Sequence, residues 1–252
     1  MRRAITTKPW LRALVGAALV LVAAALVDTP RAGADAFGPS QASSVQVVGS
    51  GTILSRELAV RAQPNNGSRR IAVLDQFRSD FRPQYVLALS EVKSAKTGEP
   101  TWYRISIPGR PNGRTGWVHA ADVDIHAVHK WLVVYRGARR FEFWDRGRLI
   151  RSGKVAVGKP GAETPLGLFY VTWKFDPSID PGWAILGAYA FETSAYSKLT
   201  DWPGGGIVGV HGTPWPQLLG QAVSHGCVRM ANENILWLRP RVPLGTPVKI
   251  VR

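Results

Sequence analysis

Ser224-His225-Gly226-Cys227-Val228-Arg229-Met230 holds the one cysteine of the 252-residue chain. A second piece, His211-Gly212-Thr213, begins sixteen positions before the sulfur. Together they put a thiol, two imidazoles and a guanidinium within twenty positions. A thiol attacks as thiolate, and a neighbouring imidazole is the usual means of making thiolate near neutral pH. Gly226 permits a sharp turn just before the sulfur, so the amides of Gly226 and Cys227 can converge on a developing oxyanion. The chemistry indicated is cysteine acyl transfer.

Two plainer readings compete with it. A lone cysteine is most often a small buried hydrophobe. Cys227 instead follows His225 and Gly226 and precedes Arg229 closely, in a polar turn rather than an apolar run. Zinc held by His211, His225 and Cys227 is the second alternative, since one thiolate with imidazoles binds it. No Cys or His pair stands at zinc-finger spacing.

The run HGT…SHGCVRM resembles the signature of the L,D-transpeptidase catalytic domain, the bacterial cell-wall enzymes with a cysteine nucleophile. Thr164-Pro165-Leu166-Gly167-Leu168-Phe169 is similar to that family's upstream TPxGxF segment. Gly206-Ile207-Val208-Gly209-Val210 resembles the strand leading into its histidine, and Gly245-Thr246-Pro247-Val248-Lys249-Ile250 its closing strand. The likeness spans roughly residues 128–251, about half the chain. It implies a β-sandwich-like sheet with the cysteine in a loop at its rim. It also implies a thioester on Cys227, His211 as general base, and no cofactor or metal. The implied donor is a peptidoglycan tetrapeptide stem cut between the diaminopimelate L-centre and the terminal D-alanine. A second diaminopimelate amine as acceptor gives a 3→3 cross-link, and water gives L,D-carboxypeptidase activity. A non-catalytic wall-binding protein is the alternative from another class.

The remaining site residues have roles of their own. A histidine base needs a third group to fix its tautomer. The residue after His211 is Gly212, so from there only a backbone carbonyl can serve; some family members carry a hydroxyl at this position. His225 either orients the loop, donates towards the oxyanion, or replaces His211 as base. Ser224 is expected to fix the loop by hydrogen bonding. Arg229 either grips a substrate carboxylate through its planar fork or braces the loop. Trp183, Tyr189 and Trp215 either wall the substrate cleft or pack in the core.

The first 36 residues read as a targeting segment. Arg2, Arg3, Lys8 and Arg12 precede an apolar run, Ala13 to Val27, and Ala32-Gly33-Ala34 offers small residues for cleavage. That run is fifteen residues long, short of the roughly 20 a spanning helix needs, although an uncleaved anchor is the alternative. Cleavage after Ala34 removes five cations and one anion, taking the net charge from +15 to +11. An exported protein this basic, periplasmic or in the wall, is drawn to wall polymers or lipid headgroups. Nucleic acid is excluded as a partner, because no basic helix is concentrated and export removes the chain from DNA.

Hydrophobic residues at 45% and charged ones at 19% describe a globular chain, while 26 glycines, 18 prolines and ten tryptophans favour short strands and turns. Residues 37–51 are small and polar and read as a linker. Residues 52–125 hold about five short apolar runs between turn sequences such as Pro64-Asn65-Asn66-Gly67. Leu58-Ala59-Val60-Arg61-Ala62, Trp102-Tyr103-Arg104-Ile105 and Thr115-Gly116-Trp117-Val118 make this segment similar to a bacterial Src-homology-3-like domain. That resemblance implies a small barrel for wall or peptide binding, with a spacer as the alternative; Trp102, Tyr103 and Trp117 either line a groove or fill its core. The catalytic domain is expected over 128–252, mainly β, with strands including 184–191 and one helix over 232–239 capped by Asn232.

Overall fold

The computed structural model describes residues 47–201 and 204–252. The expected targeting segment and most of the expected linker lie outside the described residues. The first sheet has seven strands: β1 (Gly49–Ile53), β2 (Glu57–Arg61), β3 (Arg70–Asp75), β4 (Tyr85–Lys93), β5 (Pro100–Ser106), β6 (Thr115–His119) and β7 (Val123–His126). Their order is β3-β2-β6-β5-β4-β1-β7. Alternation turns Leu58, Val60, Ile105 and Val118 inward onto Ile53, Val86 and Val123. Trp102 is buried against His119, its ring centroid 4.5 Å away, so it belongs to the core, whereas Tyr103 and Trp117 are half-buried.

Seven strands replace the five expected, and the added edge begins inside the stretch read as linker. Gly49-Ser50-Gly51 lacks the apolar pattern of a strand, yet β1 pairs with both β4 and β7. A Cβ on Gly51 would collide with the Asp124 carbonyl. The glycine is therefore there for close backbone approach, not for flexibility.

The second sheet is built from β8 (Lys130–Tyr135), β9 (Arg140–Asp145), β10 (Arg148–Gly158), β11 (Gly167–Phe175), β12 (Ala190–Tyr196), β13 (Ile207–His211), β14 (Ala222–Ser224), β15 (Val228–Met230) and β16 (Pro247–Val251). One α-helix, α1 (Asn232–Leu238), packs Ile235 and Leu238 onto it. Strand β10 pairs with β9 along its first part and with β15 and β14 along its last. Strand β11 likewise pairs with β16 and then β12. These two strands thus belong to both leaves of the structure, which close on Phe141, Phe143, Phe169, Phe191, Val210 and Met230. The turn at Arg146 and Gly147, both at positive φ (47° and 75°), joins β9 to β10 as a tight hairpin.

Two local expectations are corrected. Residues 184–186 are not strand: Pro181–Leu186 is a 3-10 turn, started by the Asp180 carboxylate accepting from Gly182 N at 2.9 Å, and β12 begins only at Ala190. The helix cap is Ala231, not Asn232, whose side chain is used elsewhere.

The first sheet is joined to the second by specific polar contacts. Arg110 donates to the carbonyls of Ser197, Leu199 and Gly205 at 3.0, 2.9 and 2.9 Å. Asn112 exchanges hydrogen bonds with both backbone groups of Tyr196. Arg78 pairs with Glu192, and Tyr170 Oη donates to the Tyr85 carbonyl at 3.0 Å.

Candidate active site

Strands β13 and β15 run parallel, with Val210 opposite Val228 and His211 opposite Arg229. One step back along each strand sets Gly209 beside Cys227, and the Gly209 N–H points at Sγ at 3.3 Å. A Cβ on Gly209 would lie 3.6 Å from His211 Cδ2 and 3.9 Å from Cys227 Sγ. The bare glycine backbone therefore floors a space shared by the imidazole and the sulfur. Both line a cavity of about 410 Å³ with Trp183, Phe191 and Arg82.

His211 is buried, and its Nδ1 meets the Gly212 carbonyl at 2.6 Å. A carbonyl only accepts, so Nδ1 carries the hydrogen and Nε2 keeps a lone pair. Burial lowers the His211 pKa to about 4, with Arg229 adding to the effect and the Gly212 and Leu186 carbonyls opposing it. Burial pushes the Cys227 thiol up, against the pull of the Gly209 N–H and Arg229. Burial therefore works against charge on the thiol as it does on the imidazole.

The turn before the sulfur is held by one hydroxyl. Ser224 Oγ donates to the Cys227 carbonyl at 2.6 Å and accepts from Gly226 N at 3.2 Å. Gly226 N–H is therefore turned to Ser224, a partner the sequence reading did not assign to it. Gly226 adopts φ 123°, and a Cβ there would press on Ser197 at 3.0 Å. Ser197 Oγ in turn donates to the His225 carbonyl at 2.9 Å. His225 itself is half-buried; partial desolvation, then Lys159 and Arg229, lower its pKa.

Arg229 is 9% exposed, and its Nε has no hydrogen-bond partner among the described residues. Its guanidinium carbon lies 6.0 Å from the Trp215 ring centroid. The three aromatic candidates divide. Trp183 lines the cavity, Tyr189 is buried edge-on to Phe191, and Trp215 is exposed beneath Arg229. Among the described residues no three His, Cys, Asp or Glu side chains converge as metal ligands.

Two residues escaped the sequence reading. Arg82, from the β3–β4 connection, stacks on Trp173 at 4.2 Å and lines the cavity. Asn232 Oδ1 accepts from Ala188 N and Thr213 N, both at 3.0 Å. An arginine in an irregular loop and an asparagine at a helix start carry no signal that would separate them from ordinary surface residues.

The family model for the L,D-transpeptidase catalytic domain (YkuD) matches residues 129–250. The YkuD L,D-transpeptidase of Bacillus subtilis strain 168 is 31% identical over 179 residues, covering 71% of this chain and 93% of that protein. The chain belongs to the L,D-transpeptidase family. It is an enzyme of that class, and the match takes in β8 through β16 with both His211 and Cys227. The YkuD protein of Bacillus licheniformis is 34% identical over 119 residues, 47% of this chain and 64% of that one. L,D-transpeptidase 1 of Mycobacterium tuberculosis H37Rv is 30% identical over 122 residues, 45% of this chain and 47% of that one.

Proposed function

We propose that this L,D-transpeptidase is an exported enzyme that remodels peptidoglycan through a thioester on Cys227. The observation that carries the reading is the shared floor at Gly209, where the His211 ring and the Cys227 sulfur border one cavity. His211 Nε2 takes the thiol proton as sulfur attacks the carbonyl between the diaminopimelate L-centre and D-alanine. The Cys227 N–H receives the oxyanion. Collapse breaks the C–N bond, and the imidazolium returns its proton to the leaving D-alanine amine. An acceptor diaminopimelate amine then attacks the thioester, gives its proton to His211, and releases the thiol with a 3→3 cross-link.

Arg229 binds a stem carboxylate: its Nε, buried and without a partner among the described residues, supports a role that an anion completes. The first sheet is read as a Src-homology-3-like wall-binding module, supported by its separate small core. The net charge of +15 supports association with anionic wall polymers or lipid headgroups, in the periplasm or the cell wall.

Intact mass after incubation with a carbapenem tests the chemistry. One adduct is expected, absent in Cys227→Ala; an adduct that persists in that variant defeats the thioester reading. A tetrapeptide donor supplied with and without an acceptor stem then distinguishes cross-linking from L,D-carboxypeptidase trimming.

A further inference from the structure

We infer that Asn232 is the positioning residue of the catalytic base, acting on His211 through the Gly212–Thr213 peptide; this rests on His211 being that base. The Gly212 carbonyl and the Thr213 N–H are two ends of one planar trans peptide unit and point in opposite directions. The carbonyl end receives His211 Nδ1 at 2.6 Å, and the N–H end donates to Asn232 Oδ1 at 3.0 Å. The line Asn232 Oδ1 to Thr213 N–H to Gly212 C=O to His211 Nδ1–H is a continuous chain of hydrogen bonds. Such chains polarise their members, so the Asn232 oxygen makes the Gly212 carbonyl a better acceptor and holds it in place.

The same oxygen accepts from Ala188 N at 3.0 Å. Ala188 lies two residues after Leu186, whose carbonyl is the second backbone acceptor facing the His211 ring. Both backbone acceptors at the imidazole thus sit in segments tied to one side-chain oxygen. The surrounding sequence is cut to fit it: a Cβ on Gly212 or on Gly187 would collide with Asn232 Oδ1. Helix capping does not account for the residue, since the cap position belongs to Ala231. Where a triad has a side chain as third member, this chain has a glycine, and the function passes through its peptide to the start of α1.

The test is the second-order rate of Cys227 acylation by a carbapenem, followed by intact mass across pH, in the full chain. Asn232→Ala is expected to slow acylation about tenfold to a hundredfold, the range in which outer residues orienting a functional imidazole act. Asn232→Asp keeps an acceptor oxygen and is expected to recover most of the rate. Its added negative charge favours the imidazolium, so the acid limb of its pH profile moves to higher pH. Wild-type rate and profile in Asn232→Ala overturn the inference, as does an Asn232→Asp enzyme that folds yet shows neither recovery nor a shifted limb. If Asn232→Ala fails to fold, the Asp profile decides alone. Loss of rate in His211→Gln without loss in Asn232→Ala sinks this inference only, whereas no loss in His211→Gln sinks the assignment of the base itself.

Discussion

The strand end that carries His211 and the turn that carries His225 bring two imidazoles near one sulfur under opposite conditions. His211 is 2% exposed, on β13, with Nδ1 fixed by a carbonyl and its ring over Gly209 beside the thiol. His225 is half-buried in a turn where its own carbonyl is held by Ser197 and its neighbours by Ser224. Proximity in sequence favours His225, and the parallel register of β13 with β15 favours His211. A ring with Nδ1 tied to a carbonyl and its edge at the glycine beside the sulfur suits the base we propose, and the strand end supplies that geometry.

Replacing His211 breaks the comparison most severely. His211→Gln is expected to lower carbapenem acylation by about a hundredfold to ten-thousandfold, the span ascribed to a positioned general base. Burial gives the same residue a signature in stability. Its folded pKa of about 4 lies below the unfolded value near 6.5. Between those values the unfolded chain binds a proton that the folded one refuses, so stability falls as pH drops from 6.5 towards 4. The loss attributable to His211 is on the order of 3 kcal/mol. Urea melts at pH 7 and pH 4 should show wild type losing that much more than His211→Gln, and equal losses would contradict the burial argument.

Arg229 sharpens the contrast from the other side. It lowers the pKa of both histidines while pulling the thiol down, so it disfavours the imidazolium and favours the thiolate. Arg229→Gln is expected to raise the KM for a tetrapeptide donor about tenfold, the lower end for a charge-assisted contact. A change confined to kcat would instead make Arg229 a residue of the chemical step.

Much of this was legible in the chain because it is written in residue types with few other uses. Cys227, His211 and Gly226 stand out by chemistry, and the strands from Trp131 onward stand out by their apolar runs. The errors have physical causes. Glycines at 49 and 51 looked like a linker because their function is close backbone approach to β7. The segment 184–186 looked like strand because its apolar residues line and cover a turn set by Asp180 and Pro181. Burial opposes charge on both partners at once, and no sequence reports burial of a site formed by segments eighteen residues apart. Asn232 was assigned to the helix it begins, when its oxygen faces the loops beyond.

The smallest effect is the most exacting test of the comparison. His225 precedes the nucleophile by two residues, and loss of its ring removes a partly exposed group while leaving its carbonyl to accept from Ser197. His225→Ala should therefore keep the Ser224 and Ser197 contacts that shape the turn and change acylation by less than about threefold, as expected for a substitution outside the proton path. Its removal also leaves Lys159 and Arg229 with one fewer neighbour to repel when protonated, so any shift appears only at acid pH, where that imidazole would charge. A drop at neutral pH as large as that of His211→Gln would reverse the two assignments, because it would mean that a ring on a turn transfers the proton while the ring on the strand only fills the core.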